Sequence, residues 1–273
     1  MLRQPAVAGR FYPDDAGELA QQVASFCVTE STPEKAEPPR RAMACLVPHA
    51  GYRFSGHVAG AVYARIALPR RILMLGPRHY PRGQAQAILS EGAWQTPLGR
   101  AEIDTELAAQ LKRACPSLAE DSVAHSREHA LEVQLPFLQH LMGDFRFVPI
   151  ALGTVDFTEL ETLGRAIAEV LSAQTEAVLM IASSDMNHYE SDAVTRIKDR
   201  KALDRIVALD PRGLLEAVRK EGVSMCGVGP AVSVLTAARR LGATRAELIH
   251  YATSGDVNGD HNEVVGYAGV IVE

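Results

Sequence analysis

Apolar residues along this chain fall into short unbroken runs and into longer stretches where they recur every three or four positions. Residues 44–47, 72–75, 145–152 and 178–182 are runs of strand length with few polar interruptions, the mark of strands covered on both faces. Between them lie stretches of helical period at residues 57–64, 104–114, 129–141 and 157–172. Asp14 and Asp15 supply a cap for an earlier helix that ends near Phe26, with Leu19, Val23 and Phe26 on one face. Residues 194–209, 211–220 and 230–241 read as further helices, the last two with proline in the first turn. Strands at 247–253 and 266–272 close the chain. Strands that alternate with helices predict an α/β fold, a mostly parallel central sheet covered by helices on both faces.

The only stretch resembling a boundary is residues 29–41, where Pro33, Pro38 and Pro39 stand among charges. It reads as a surface linker after the N-terminal helix, inside one domain that spans residues 1–273. A hydrophobic content of 47% over 273 residues is enough for a substantial core. The net charge of −5, without a dense Lys/Arg block, argues against nucleic acid or an anionic membrane as partner and leaves a small molecule or a protein segment. No apolar run approaches the ~20 residues that span a bilayer, and the N-terminus lacks a signal-peptide core, so a cytoplasmic protein is expected. Cys27, Cys45, Cys115 and Cys226 form no C-x-x-C pair, which points away from a disulfide framework or a zinc ribbon.

Three of the strand-like runs break into loops that carry a histidine: Pro48-His49, Gly76-Pro77-Arg78-His79, and Ser183-Ser184-Asp185-Met186-Asn187-His188. Ligands bind beyond the carboxyl ends of strands in open α/β sheets, so these three histidines predict one shared metal or acid/base site. Asp185, three residues before His188, can orient that ring for proton transfer or can form an Asx turn. Ser183 and Ser184 lack the Gly-x-Ser-x-Gly elbow of a serine nucleophile. Arg78 is a candidate for an anionic substrate or a surface carboxylate. His129 and Glu132 are expected on one helical face at i,i+3, as candidates to line or support the site. Cys226 precedes a helix near Pro230, where exposed amides favour a thiolate, hence a metal ligand or nucleophile. The glycine- and acid-rich residues 253–263 have the wrong spacing for a calcium loop and read as a loop over the site.

Taken together, these segments resemble the Memo family, also called protein B of the AmmeMemoRadiSam system in prokaryotes. The resemblance runs from Pro5-Ala6-Val7-Ala8-Gly9-Arg10-Phe11-Tyr12-Pro13 to Val264-Val265-Gly266-Tyr267-Ala268. It is most specific at Val47-Pro48-His49-Ala50-Gly51-Tyr52, Gly76-Pro77-Arg78-His79 and Ser183-Ser184-Asp185. It implies a fold like that of class III extradiol ring-cleavage dioxygenases, with His49, His79 and Cys226 as metal ligands. Asp185 and His188 would line the pocket, His188 at the place of the dioxygenase base. A thiolate in place of the dioxygenase carboxylate makes the site softer. The expected cofactor is iron(II), with copper or zinc as alternatives, and the expected activity is redox chemistry on a small, aromatic substrate. The other reading is a non-catalytic metal-binding or peptide-binding protein, with proteins of the AmmeMemoRadiSam system as partners.

Overall fold

The computed structural model describes residues 1–28 and 38–273. Most of the linker expected at 29–41 therefore lies outside the described residues. Its described end is tied down, because Arg40 accepts from Ala67 and donates to Arg65 through its main chain.

The helices are α1 (Ala16–Phe26), α2 (Tyr52–Tyr63), α3 (Thr105–Ala114), α4 (Ser122–Ser126), α5 (Leu135–Met142), α6 (Phe157–Ser172), α7 (Asp192–Val207), α8 (Pro211–Glu221), α9 (Val228–Arg240) and α10 (Ser254–Asn258). The strands are β1 (Leu2–Arg3), β2 (Ala44–Val47), β3 (Arg71–Pro77), β4 (Gln86–Ile88), β5 (Ala93–Thr96), β6 (Gly99–Ile103), β7 (Ala119–Glu120), β8 (Arg146–Leu152), β9 (Val178–Ser183), β10 (His188–Glu190), β11 (Ala246–Thr253) and β12 (Val264–Val272). They join one sheet in the order β1-β5-β6-β8-β3-β9-β2-β12-β10, with β11 on β12 and β4 on β8. The centre, β6-β8-β3-β9-β2, is parallel, and β12 closes it antiparallel to β2.

Side chains of the central strands alternate between two cores. Leu46, Leu73, Leu75, Val148, Ile150, Met180 and Ala182 pack under α3, α6, α8 and α9. Cys45, Val47, Ile72, Met74, Phe147, Leu179 and Ile181 pack under α1, α2 and α5. Unbroken apolar runs are what such two-sided burial demands. Aspartates start several helices: Asp15, Asp104, Asp156 and Asp210 each accept a main-chain N–H from the first turn.

Two expectations are corrected. Helix α2 begins at Tyr52 rather than at residue 57, and Gly56 and Gly60 inside it lie directly against Phe26 of α1 and supply the close approach between these helices. Residues 129–131 are not helical: a 3₁₀ turn at Glu132–Gln134 leads into α5. The cause is the Glu128 carboxylate, which accepts from the main-chain N–H groups of His129 and Ala130 and turns the chain before the helix starts. Among the described residues no helix is long and apolar enough to cross a membrane.

Candidate metal centre

Strand register gathers the three histidine loops. Val47 of β2 lies opposite Ser183 of β9, and Leu75 of β3 opposite Ala182, so the three strands end side by side. Beyond them opens a cavity of about 620 Å³ lined by Phe11, His49, Ala50, Gly51, His79, His129, Asp185, His188, Tyr189, Ser224, Cys226 and Val265. His49, His79 and His129 each offer a nitrogen within 4.8 Å of the others.

Hydrogen bonds fix which nitrogen His49 and His79 offer. Ser183 Oγ gives its one proton to the Ala130 carbonyl at 2.6 Å, so it can only accept from His49 Nδ1 at 2.9 Å. His49 therefore carries its proton on Nδ1 and turns the Nε2 lone pair toward the cavity. His79 Nδ1 lies 2.9 Å from Glu128 Oε1, and the His79 main-chain N–H donates to Glu128 Oε2 at 2.7 Å. The carboxylate is an acceptor, so here too Nε2 is left free. His129 stacks on His79 with ring centres 4.6 Å apart, and Phe11 meets it edge-on at 4.7 Å. His188 Nδ1 donates to the Ser224 carbonyl at 3.0 Å, and its main-chain N–H to Ser224 Oγ at 2.7 Å. Carbonyl and carboxylate acceptors behind the rings are the arrangement that holds metal-binding or proton-transferring imidazoles in place.

Protonation follows from the same surroundings. Burial, with His79 nearby, pushes His49 down to about 3, and burial with His49 nearby pushes His129 down to about 4. Both rings are neutral at pH 7, as ligands must be. Burial works against the charge on Glu128, but the bond from His79 holds its carboxyl down at about 2. His79 is the exception: burial lowers it, and the Glu128 partnership outweighs burial and raises it. Burial raises the Asp185 carboxyl.

Cys226 lies just before α9, with its sulfur 3.2 Å from His49 Nε2 and 3.6 Å from the Asp185 carbonyl. Proximity to the helix start does not activate the thiol as expected, because burial pushes its pKa upward. The sulfur lines the same cavity beside His49, and the donors that all lie within mutual ligand reach are His49, His79 and His129. Asp185 does not orient His188. Its Oδ1 accepts from the His49 main-chain N–H at 2.7 Å, and its Oδ2 lies 4.0 Å from His49 Nε2.

Two other residues and one segment picked out from the sequence stand elsewhere. Glu132 faces away from the cavity, accepting from Arg3, Tyr12 and the main-chain N–H groups of Ala6 and Val7. It anchors the N-terminal segment that delivers Phe11. Arg78 donates to the carbonyls of Arg82, Gly83 and Gln84 and holds their loop. Residues 253–263 do not line the cavity; Ser254–Asn258 within them form α10, started by a Thr253–Asp256 capping box. Sequence reasoning missed Glu128, although it adjoins His129, and missed Ser224, which no local pattern marks.

Three imidazole nitrogens with a sulfur alongside are a donor set for iron, copper or zinc rather than for magnesium or calcium. Fold and site together define an α/β protein with a three-histidine cluster able to hold a metal ion beyond the carboxyl ends of its parallel strands. The chain belongs to the Memo-like protein family, which matches residues 3–271. A MEMO1 family protein of Methanopyrus kandleri is 44% identical over 280 residues, covering 99% of each chain. One of Methanosarcina barkeri is 41% identical over 273 residues, covering 100% of both. The crystal structure of an uncharacterized protein from Escherichia coli K12 shares the fold at a TM-score of 0.52 with 12% identity, covering 84% of this chain and 99% of that one.

Proposed function

We propose that this protein is an iron-dependent redox enzyme of the cytoplasm that acts on a small phenolic or otherwise aromatic compound. The observation that carries the reading is the convergence of His49, His79 and His129 on a cavity walled by Phe11 and Tyr189. Among the described residues no lysine or arginine lines that cavity, which disfavours phosphorylated or polyanionic substrates. The four free thiols fit a reducing compartment.

Iron(II) held by the histidines would supply the one-electron exchange with dioxygen that protein side chains lack. The chain's own contribution is positional. Phe11 and Tyr189 are placed to flank a planar ring. His188, with Nδ1 bound to Ser224, presents Nε2 to the cavity to take a phenolic proton, a role that typically contributes about 10²- to 10⁴-fold. Cys226, next to His49 Nε2, is a further donor when its proton is displaced. A second reading, a recognition pocket for a peptide segment, draws on Tyr189. This residue is 73% exposed at the rim and is held at φ 61, where a non-glycine residue is strained.

Metal content of anaerobically purified protein, combined with oxygen uptake in the presence of catechols, separates the two. His49→Ala and His79→Ala are expected to lose both metal and uptake, and His188→Ala to keep metal and lose uptake. Iron-free protein, or uptake in His188→Ala within a few-fold of wild type, removes the corresponding part of the reading. A peptide that binds the metal-free protein and is lost on Tyr189→Ala favours recognition.

A further inference from the structure

Away from this cavity a second pair of imidazoles meets, His57 on α2 and His250 on β11. Their ring centres are 5.3 Å apart and their planes cross at 87°. His57 is half-buried and His250 exposed. The pairing depends on an irregularity in the strand. Leu248 and Tyr251 pack on the α9 side of the sheet, whereas Ile249 packs on the other side and Ala252 joins Val58 of α2. Strict alternation would send His250 the way of Leu248, away from α2. A register shift between Leu248 and His250 breaks the alternation and turns His250 toward α2, which is the use to which β-bulges are commonly put.

Neither ring is spent on a hydrogen bond among the described residues. Burial first, and then the neighbouring His250, lower the pKa of His57, with Asp256 opposing. The nearby Asp256 carboxylate is itself occupied, by Arg196 at 2.7 Å and by the Thr253 main-chain N–H at 2.8 Å.

We propose that His57 and His250 form a second metal site, a two-histidine chelate for a divalent late first-row ion, with zinc(II) as the best fit and water completing the coordination. With N–metal bonds of about 2.0–2.1 Å and each ring centre about 1.1 Å behind its nitrogen, two imidazoles on a tetrahedral ion place their centres about 5.2 Å apart. The observed spacing matches, and the broad χ2 preference of imidazole lets both unbonded rings rotate a nitrogen toward a shared point. Two protein ligands at the surface make this an exchangeable site, in contrast to the enclosed histidine cluster. The inference does not depend on the function proposed for that cluster.

The test is a calorimetric titration of the full chain with zinc(II) at about pH 7.5, where unperturbed imidazoles are neutral. Wild type is expected to bind a weaker equivalent that is lost in both His57→Ala and His250→Ala and retained in His49→Ala. His250 is exposed on its strand, so its variant keeps the test valid should His57→Ala fail to fold. Persistence of the weaker equivalent in a folded single variant, or wild-type binding confined to zinc that His49→Ala removes, overturns the proposal. A single equivalent lost in the His57 and His250 variants but kept in His49→Ala supports it, and counts against the enclosed cluster as a zinc site.

Discussion

At the scale of single residues the centre is organised by acceptors behind its rings. Glu128 is fully buried and spends both oxygens on His79, while Oε1 also takes the His129 and Ala130 N–H groups. Replacing it by glutamine keeps the shape but removes the charge that polarises His79. Glu128→Gln is therefore expected to weaken metal binding by about 10- to 100-fold, measured by competition with a chromophoric chelator. Undiminished affinity would reduce Glu128 to a turn-forming residue. Cys226→Ser tests the sulfur. The half-buried thiol contacts the site and not the core, so the melting temperature of metal-free protein should stay within about 2–4 °C, the shift that ~1 kcal/mol produces in a chain of somewhat smaller size. Retention of copper should fall because a hydroxyl is a poor soft ligand. Unchanged copper retention with a lower melting temperature would make the residue structural.

At the scale of elements, the exit of β9 and the entry to α9 are joined by Asn187, whose Oδ1 accepts from the Ser224 main-chain N–H at 3.0 Å and from Ser224 Oγ at 3.1 Å. Asp199 of α7 in turn accepts the Asn187 N–H at 2.8 Å. Because Ser224 holds His188, Asn187→Ala should free that ring without touching the metal donors. The expected result is destabilisation by about 1–3 kcal/mol for the buried groups left unpaired, with metal content unchanged. Loss of metal in a folded Asn187→Ala protein would show that the link supports the whole centre. Sequence patterning revealed the elements that bury both faces, such as β2, β3 and β9, and the helices headed by aspartate. It passed over β4 to β7, where Gln86, Gln95, Arg100, Glu102 and Glu120 interrupt the pattern and pairing with neighbours makes the strands. It also ran α5 back through His129, since periodicity carries no information about a side chain that captures main-chain N–H groups.

For the whole molecule, the sheet turns sequence separation into proximity, and this is why the histidine loops were legible but their supports were not. A strand exit can be recognised locally; the fact that Glu128 backs His79, or that Ser224 backs His188, follows only from register and packing. The same enclosure leaves imidazoles that resist protonation. His125 is fully buried against Trp94, and burial, with Arg3 nearby, pushes it down to about 4. A folded pKa below the unfolded value of about 6.5 means that the unfolded chain binds the extra proton between those limits. His125 thus contributes stability that is complete above about pH 6.5 and lost as pH falls toward 4, amounting to about 3 kcal/mol across the window. Buried Asp199, raised by burial to about 6, acts in the opposite direction, so the wild-type curve alone does not isolate one residue. Comparison with His125→Gln does, since glutamine does not titrate. For metal-free protein between about pH 4.5 and 6, the signed slope of unfolding free energy against pH should be less positive in the variant by about 1.4 kcal/mol per pH unit, one proton's worth. Denaturant unfolding at several pH values measures it, and parallel curves for the two proteins would show that His125 is protonated in the folded state despite its burial.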